Sequence, residues 1–293
     1  MIEGVYINLD RSTGRRSSME SQLAEIEPGY PVRRFAAIDG RELADCPVGL
    51  RPAQHGCWLS HLQAWQQFAA AGEHLHVMED DALLSSALPA LPDVIEAVEA
   101  GSGGAWDLLC LDATLIEVPD MYRMFEWTQA SRSKGVVHVH RIPQDFTVYG
   151  MHSYVVNSSR KQHVLDYFKR HFAAGKPIDN VLAHGIQRGH LQAYLTSPFV
   201  TSGSDQSLVR TVGESGDDQF VAWLMFRRLC FWQLADADLS MIEDTLPALM
   251  RGADRHASAL GSLLAYRIAR WPQQRFHPGV EPPNSPIRTD ESG

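Results

Sequence analysis

The sequence is poor in cysteine and has no long apolar run. Its four cysteines, at positions 46, 57, 110 and 230, show no C-x-x-C motif or paired spacing, which favours free thiols in a reducing compartment. No apolar run reaches the roughly 18–20 residues of a membrane span. The start "GVYINLD" lacks the basic region of a signal peptide. We therefore expect a soluble protein of the cytoplasm.

Positive charge is also scarce. The chain has 26 Lys and Arg against 35 Asp and Glu, a formal net charge of −9. This balance excludes nucleic acid as an expected partner, and an anionic substrate would need a local basic pocket. With 293 residues, 44% of them apolar, the chain is long enough for one large α/β domain or for a main domain with an appendage.

Short apolar segments alternate with helical ones in the first half of the chain. The segments "GVYINL", "VRRFAAI", "HLHVM" and "WDLLCL" are typical of buried strands. A helix is predicted from Pro52, with Trp58, Leu62 and Trp65 on one face. This alternation predicts an α/β fold with a mostly parallel sheet and crossover helices. Residues 113–148 have no clear pattern before "VVHVHRI", which indicates a strand, and the segment after it favours antiparallel pairing.

The character of the chain changes after about residue 212. We predict an α/β domain over residues 1–212, a helical extension over 213–274 and a disordered, Pro-rich tail over 275–293. The segment "FVAWLMFRRLCFWQLA" in the extension allows three interpretations. It packs on the main domain, forms a homodimer interface, or makes a peripheral contact with the inner membrane.

Three adjacent carboxylates, Glu79, Asp80 and Asp81, follow the strand "HLHVM". Ligands of such sheets gather beyond the carboxyl ends of the strands, and oxygen ligands suit Mg²⁺ or Mn²⁺. In an extended chain, Glu79 and Asp81 would share one face and Asp80 the other. The alternative is that Asp81 caps the following turn and the other two are solvated. Asp112 is a further acidic candidate at a strand end.

Six segments in order resemble the conserved blocks of glycosyltransferase family 25, the lipooligosaccharide-biosynthesis and collagen galactosyltransferase group. The resemblance covers roughly residues 4 to 210 and is carried by "VYINLDRSTGRRSSMESQL", "FAAIDGREL", "GCWLSHLQAW", "HLHVMEDDALL", "YGMHSYVVNSS" and "KPIDNVLAH". It implies a GT-A-like, Rossmann-like fold with a mixed sheet flanked by helices, a UDP-sugar donor, Mn²⁺ or Mg²⁺, and usually inversion at the anomeric carbon. Galactose is the commonest donor sugar of the family.

The resemblance also implies site residues. It indicates Asp179 as the catalytic base, although this residue could instead orient the acceptor or bind metal. The implied metal ligands are Asp81, Glu79 and His184. The implied donor-binding residues are Asn8, Asp10, Arg11, Arg16, Asp39, Gly40, Ser60, His61, Glu79 and Asp80.

Several of these assignments have alternatives. Arg15 could share the diphosphate with Arg16, or either arginine could be a solvated surface residue. His152 is an alternative to His184 as the histidine, late in the chain, that contacts the metal or the diphosphate. Ser60 and His61 form either a polar helix face aimed at the donor or hydrogen bonds inside the fold.

The leading functional hypothesis is a metal-dependent inverting glycosyltransferase that moves a sugar from a UDP-sugar to a glycan or glycolipid acceptor such as lipooligosaccharide. One alternative is a catalytically silent glycosyltransferase-like binding module. A metal-dependent phosphohydrolase is a third, with Asp10 at the end of the first strand, although the basic residues after Asp10 fit it poorly.

Overall fold

A computed structural model describes residues 1–68, 72–204 and 218–234, with Ala259, Leu260 and Leu263. For residues 218–220 only the backbone is described. The strands in this part of the chain are β1 (Ile2–Asn8), β2 (Val32–Ala36), β3 (His74–Glu79), β4 (Ala82–Leu84), β5 (Leu108–Cys110), β6 (His138–Arg141), β7 (Ser153–Val156), β8 (Ala193–Ser197) and β9 (Thr201–Gly203). The helices are α1 (Thr13–Ile26), α2 (Pro52–Phe68), α3 (Leu91–Ser102), α4 (Val118–Lys134), α5 (Lys161–His171), α6 (Ile178–Gln187) and α7 (Asp218–Leu229).

Seven strands form one mixed sheet in the order β2-β1-β3-β7-β5-β8-β6, and β4 pairs with β9 in a separate two-stranded sheet. Strand β1 is parallel to β2 and β3, and β5 is parallel to β8. Strand β7 is antiparallel to both β3 and β5, and β6 is antiparallel to β8. As a result, β1, β2, β3, β5 and β8 all end at the same edge of the sheet, where ligands of such folds bind.

Hydrophobic side chains cover both faces of this sheet. Successive residues of β1 alternate between two apolar clusters, since Val5 belongs to one and Tyr6 to the other. Residues of α2, α4, α5, α6 and α7 join the first cluster, and Met19 of α1 and Val94 of α3 join the second. The predicted α/β class, a mixed sheet flanked by helices, is therefore confirmed.

Helix α4 falls in the segment where the sequence showed no clear pattern. Its first turns bury Met121, Met124 and Phe125 at helical spacing. The same face then buries Thr128 and Ser131, so the apolar stripe stops halfway along the helix. A polar residue on a buried face breaks the periodicity from which a helix is predicted.

The described part of the helical extension packs into the same core as the sheet. Leu224, Phe226 and Leu229 of α7 are buried in the first cluster. The backbone N–H of Phe199, after β8, donates to the carbonyl of Cys230 at 2.8 Å. This is the first of the three interpretations, packing on the main domain. The predicted boundary at residue 212 and the predicted disordered tail lie outside the described residues.

None of the described helices is both long enough and apolar enough to cross a membrane.

Candidate active site

Two cavities open at the edge where the parallel strands end. The larger, of about 530 Å³, is lined by basic and acidic side chains, among them Arg11, Arg15, Arg41, Asp39 and Asp80. The smaller, of about 210 Å³, is lined by residues that include His152, Asp179 and Asn180. Cys57 and Glu79 line both cavities, so these two residues mark where the cavities meet.

The acidic cluster divides between two environments. Strand β3 ends at Glu79, and the chain turns through Asp80 and Asp81 before β4 begins. Asp80 accepts hydrogen bonds from Asn8 Nδ2 at 2.7 Å and from Arg15 at 3.2 Å. The same arginine lies 3.8 Å from Asp81. The extended geometry stops at Glu79, so the strand alternation from which we expected Glu79 and Asp81 to share a face does not continue to Asp81.

Glu79 faces helix α2. Its Oε1 lies 3.3 Å from His61 Nε2 and 3.8 Å from Cys57 Sγ. Burial alone would raise the pKa of Glu79, but the hydrogen bond to His61 and the nearby charges of His152 and Arg227 outweigh burial and lower it to about 2. Glu79 is therefore an ionised carboxylate at neutral pH.

Arg15, and not Arg16, is the arginine of α1 that reaches the acidic cluster. Arg16 pairs with Glu20 at 2.8 Å on the exposed side of the helix and does not line the larger cavity. Successive helical residues differ by about 100° around the axis, so two adjacent arginines face different surroundings. The predicted donor-binding role of Arg16 is not supported by this placement.

Asn8 and Asp10 support the cavity from outside. Asn8 is 1% exposed, and its Oδ1 accepts from Arg34 Nε at 2.9 Å while its Nδ2 donates to Asp80. Asp10 is exposed and pairs with Arg34. Neither side chain is among those that line the larger cavity. Asn8 thus orients Asp80, and the linking residue Arg34 was not predicted from the sequence.

Asp39 and Gly40 form a tight turn against α2. Asp39 accepts from the backbone N–H of Arg41 at 3.1 Å and pairs with the guanidinium groups of Arg11 and Arg41. The hydrogen bond from Arg41 is the main reason that the pKa of Asp39 is lowered. A Cβ on Gly40 would lie 1.7 Å from the carbonyl oxygen of Pro52. The glycine is therefore required by helix packing, and it also lines the larger cavity.

Ser60 and His61 make hydrogen bonds inside the fold and also line the larger cavity. Ser60 Oγ donates to the carbonyl of Gly56 at 2.7 Å and accepts from the N–H of Ile38 at 2.9 Å. His61 Nδ1 lies 2.8 Å from the hydroxyl of Tyr154, which accepts from Trp65 Nε1 at 2.9 Å. Hydrogen bonding inside the fold is therefore compatible with a place in the cavity wall for both residues, and their contact with a donor stays a prediction.

The smaller cavity brings Asp179 and His152 together. Asp179 lies in the first turn of α6, is partly exposed, and accepts from the N–H of Asn180 at 2.9 Å. Burial by the surrounding protein raises the pKa of Asp179, and the nearby carboxylate of Glu79 adds to this effect. His152 Nδ1 is buried and has no hydrogen-bond partner in the described part of the chain.

His184 is not brought to either cavity. It is exposed on α6, and the pKa of its imidazole is lowered first by desolvation and then by the basic neighbours Arg188, Lys176, His171 and His190. Asp179 and His184 are five residues apart on one helix, a spacing that turns them to different sides. Of these two candidate histidines, His152 is the one that the structure places near Glu79.

A buried ion pair joins α7 to the carboxyl end of β5. Arg227 donates to Asp112 Oδ2 at 2.5 Å, and the two side chains are 3% and 1% exposed. Asp112, expected as an acidic candidate, is thus a partner of the helix. Arg227 was noted in the sequence only as part of an aromatic segment, and no local signal there indicates an electrostatic link to Glu79.

The sequence model of glycosyltransferase family 25 (LPS biosynthesis protein) matches residues 1–182, more than half of the chain. The chain belongs to glycosyltransferase family 25. The matched residues include both cavities' shared residues and Asp179, whereas His184 and Arg227 lie beyond them. No curated protein matches this family-25 chain. The family supports a glycosyltransferase role in LPS biosynthesis, with sugar donor and acceptor substrates.

The carboxylates Asp80 and Asp81 fit a hard divalent cation. They are adjacent in the turn after β3, and Asp80 lines the larger cavity. Carboxylate oxygens are the ligands that Mg²⁺ and Mn²⁺ prefer. Both oxygens of Asp80 accept hydrogen bonds, and the family resemblance implies Asp81 as a direct ligand. Glu79 points to a thiol and an imidazole, so it does not belong to this pair of hard ligands.

Proposed function

We propose that this family-25 enzyme is a metal-dependent inverting transferase. It moves a sugar, with galactose as the first candidate, from a UDP-sugar to a hydroxyl group of a glycan or glycolipid such as lipooligosaccharide. The observation that carries the proposal is the pair of cavities that meet at Glu79 and Cys57. The larger cavity suits an anionic donor. The smaller cavity suits an acceptor hydroxyl beside a protein side chain that acts as the base.

The larger cavity suits a nucleotide diphosphate. Arg11, Arg15 and Arg41 line it in a protein whose net charge is −9. Guanidinium groups bind phosphate oxygens in a forked geometry, and a local basic lining is what an acidic protein needs to attract an anion. Asp81, with Asp80 beside it, would hold Mn²⁺ or Mg²⁺, which neutralises charge on the departing diphosphate when bound.

The smaller cavity suits the acceptor. Asp179 is its carboxylate with a raised pKa, so its ionised form is a stronger base than an ordinary aspartate. In an inverting transfer, the base removes the proton of the attacking hydroxyl on the side opposite the leaving group. Asp179 in the smaller cavity is suited to the side where the proton is removed. The arginines in the larger cavity are suited to the opposite side, where the diphosphate leaves. Glu79 keeps its negative charge where the cavities meet.

The test is UDP release by purified full-length protein from UDP-galactose, UDP-glucose, UDP-N-acetylglucosamine and UDP-glucuronate, with Mn²⁺ or EDTA. We expect turnover of one donor that requires the cation and is lost in Asp81→Ala. Asp145→Ala is the matched control, because Asp145 is an exposed carboxylate that pairs with Arg123 outside both cavities. Silence with every donor, together with no calorimetric binding of UDP and Mn²⁺, would favour the silent binding module.

A further inference from the structure

Three side chains of different chemistry converge where the two cavities meet. The ligand atoms of Cys57, His61 and Glu79 all lie within 4.8 Å of one another. Cys57 and His61 are four residues apart and share one face of α2, and Glu79 is the last residue of β3. Two regular elements of the core thus hold the three groups.

The two separations from Glu79 match those of a tetrahedral zinc site. Zn²⁺ binds sulfur at about 2.3 Å and nitrogen or oxygen at about 2.0–2.2 Å, so tetrahedral ligands lie about 3.3–3.8 Å apart. His61 Nε2 and Cys57 Sγ lie 3.3 Å and 3.8 Å from Glu79 Oε1. A thiolate is a soft ligand, which selects Zn²⁺ over Mg²⁺ and Mn²⁺.

The imidazole of His61 already has the outer partner that a metal-binding histidine needs. Its Nδ1 lies 2.8 Å from the hydroxyl of Tyr154, which Trp65 holds in place by a 2.9 Å hydrogen bond. When a cation binds Nε2, the imidazole proton lies on Nδ1 and donates to the Tyr154 oxygen. Such a partner fixes the ring orientation and the tautomer of the ligand.

We propose that Cys57, His61 and Glu79 bind one Zn²⁺ or a similar thiophilic cation, with the fourth position open to the cavities. This centre is distinct from the hard-metal position proposed at Asp80 and Asp81. Binding itself does not depend on the proposed function. The consequence of this binding does rest on the proposed function. A cation here would neutralise Glu79 and obstruct the passage between donor and acceptor, so Zn²⁺ would inhibit transfer.

The first measurement is a titration of the full-length protein with Co²⁺, used as a spectroscopic probe for Zn²⁺, without nucleotide. We expect one equivalent to produce a thiolate-to-cobalt charge-transfer band that Zn²⁺ removes. The band should be lost in Cys57→Ser and kept in Cys46→Ser, since Cys46 is an exposed thiol outside the cluster. Tyr154→Phe should weaken binding roughly 10–100-fold. Asp81→Ala should keep the band, which separates this site from the hard-metal position.

A second measurement needs no variant. Thiol alkylation of the wild-type protein, read by peptide mass spectrometry, should be slowed by Zn²⁺ at Cys57 and unchanged at Cys46. Equal alkylation of Cys57 with and without Zn²⁺ would overturn the proposal, as would a cobalt band that survives in Cys57→Ser. Neither readout uses sugar transfer, so a failed transferase assay leaves this test intact.

Discussion

The ion pair between Arg227 and Asp112 gives a quantitative prediction about stability. Arg227→Met removes one charge of a pair whose side chains are 3% and 1% exposed, and leaves the Asp112 carboxylate in the interior. Breaking a buried pair in this way costs about 3–5 kcal/mol, because the remaining charge has lost both its partner and its hydration. Losing the pair also removes a nearby positive charge from Glu79.

The assay is urea unfolding at pH 7, followed by tryptophan fluorescence. Arg227→Met and Asp112→Leu are compared with the double variant, which replaces both charges by apolar groups. The double variant should lose less free energy of unfolding than the two single losses added together, by about 2 kcal/mol or more. Arg123→Met is the control, because its pair with the 73%-exposed Asp145 lies at the surface and should contribute less than about 1 kcal/mol.

Two results would refute this reasoning. If Arg227→Met lowers the free energy of unfolding no more than Arg123→Met does, burial does not make this pair important for stability. If the effects of the two single variants simply add, the two charges are not coupled.

Three further predictions concern the donor site, the base and a buried histidine. Arg15→Ala should weaken calorimetric binding of UDP roughly 10–100-fold, the value of a charged hydrogen bond, whereas Arg16→Ala should leave it within about twofold; equal losses would contradict the different placement of the two arginines. Asp179→Asn should lower kcat about 100–10,000-fold. Its raised pKa means that stability is fully present below the unfolded pKa and is lost as pH rises through the folded pKa, so Asp179→Asn should be as stable as wild type or more stable at neutral pH. If Asp179→Asn keeps the kcat of the wild type, Asp179 is not the base. If the variant is less stable than the wild type at neutral pH, the raised pKa is contradicted. Burial lowers the pKa of His76 from 6.5 to about 3, so stability should be present above pH 6.5 and fall toward pH 3. His76→Gln should reduce the slope of unfolding free energy against pH by up to about 1.4 kcal/mol per unit in that window, and an unchanged slope would show that His76 is not responsible.

Much of the fold was predictable because its signals are local. The strands β1, β2, β3 and β5 appear as short apolar runs, and α2 shows a regular apolar stripe after Pro52. The sheet is less parallel than expected, since three of its six pairings are antiparallel. Helix α4 was not predicted, because Thr128 and Ser131 occupy its buried face where an apolar residue would have marked the helix.

The candidate site was predictable in composition but not in its pairings. Glu79, Asp80, Asp39 and His61 do line one cavity, as strand ends and helix faces suggested. Their partners depend on the turn after β3 and on the rotation of α1 and α2, which no spacing in the sequence encodes.

The sequence by itself determined the alternation of strands and helices and the position of three carboxylates at the end of a strand. These properties depend on residues close together in the chain, where periodicity and turn chemistry act. Tertiary structure alone decided that Arg15 neutralises Asp80, that Glu79 turns to Cys57 and His61, and that Arg227 pairs with Asp112 across 115 residues. The physical reason is that a charge is stabilised by whichever group packing brings within a few ångströms, and packing is decided by the whole core.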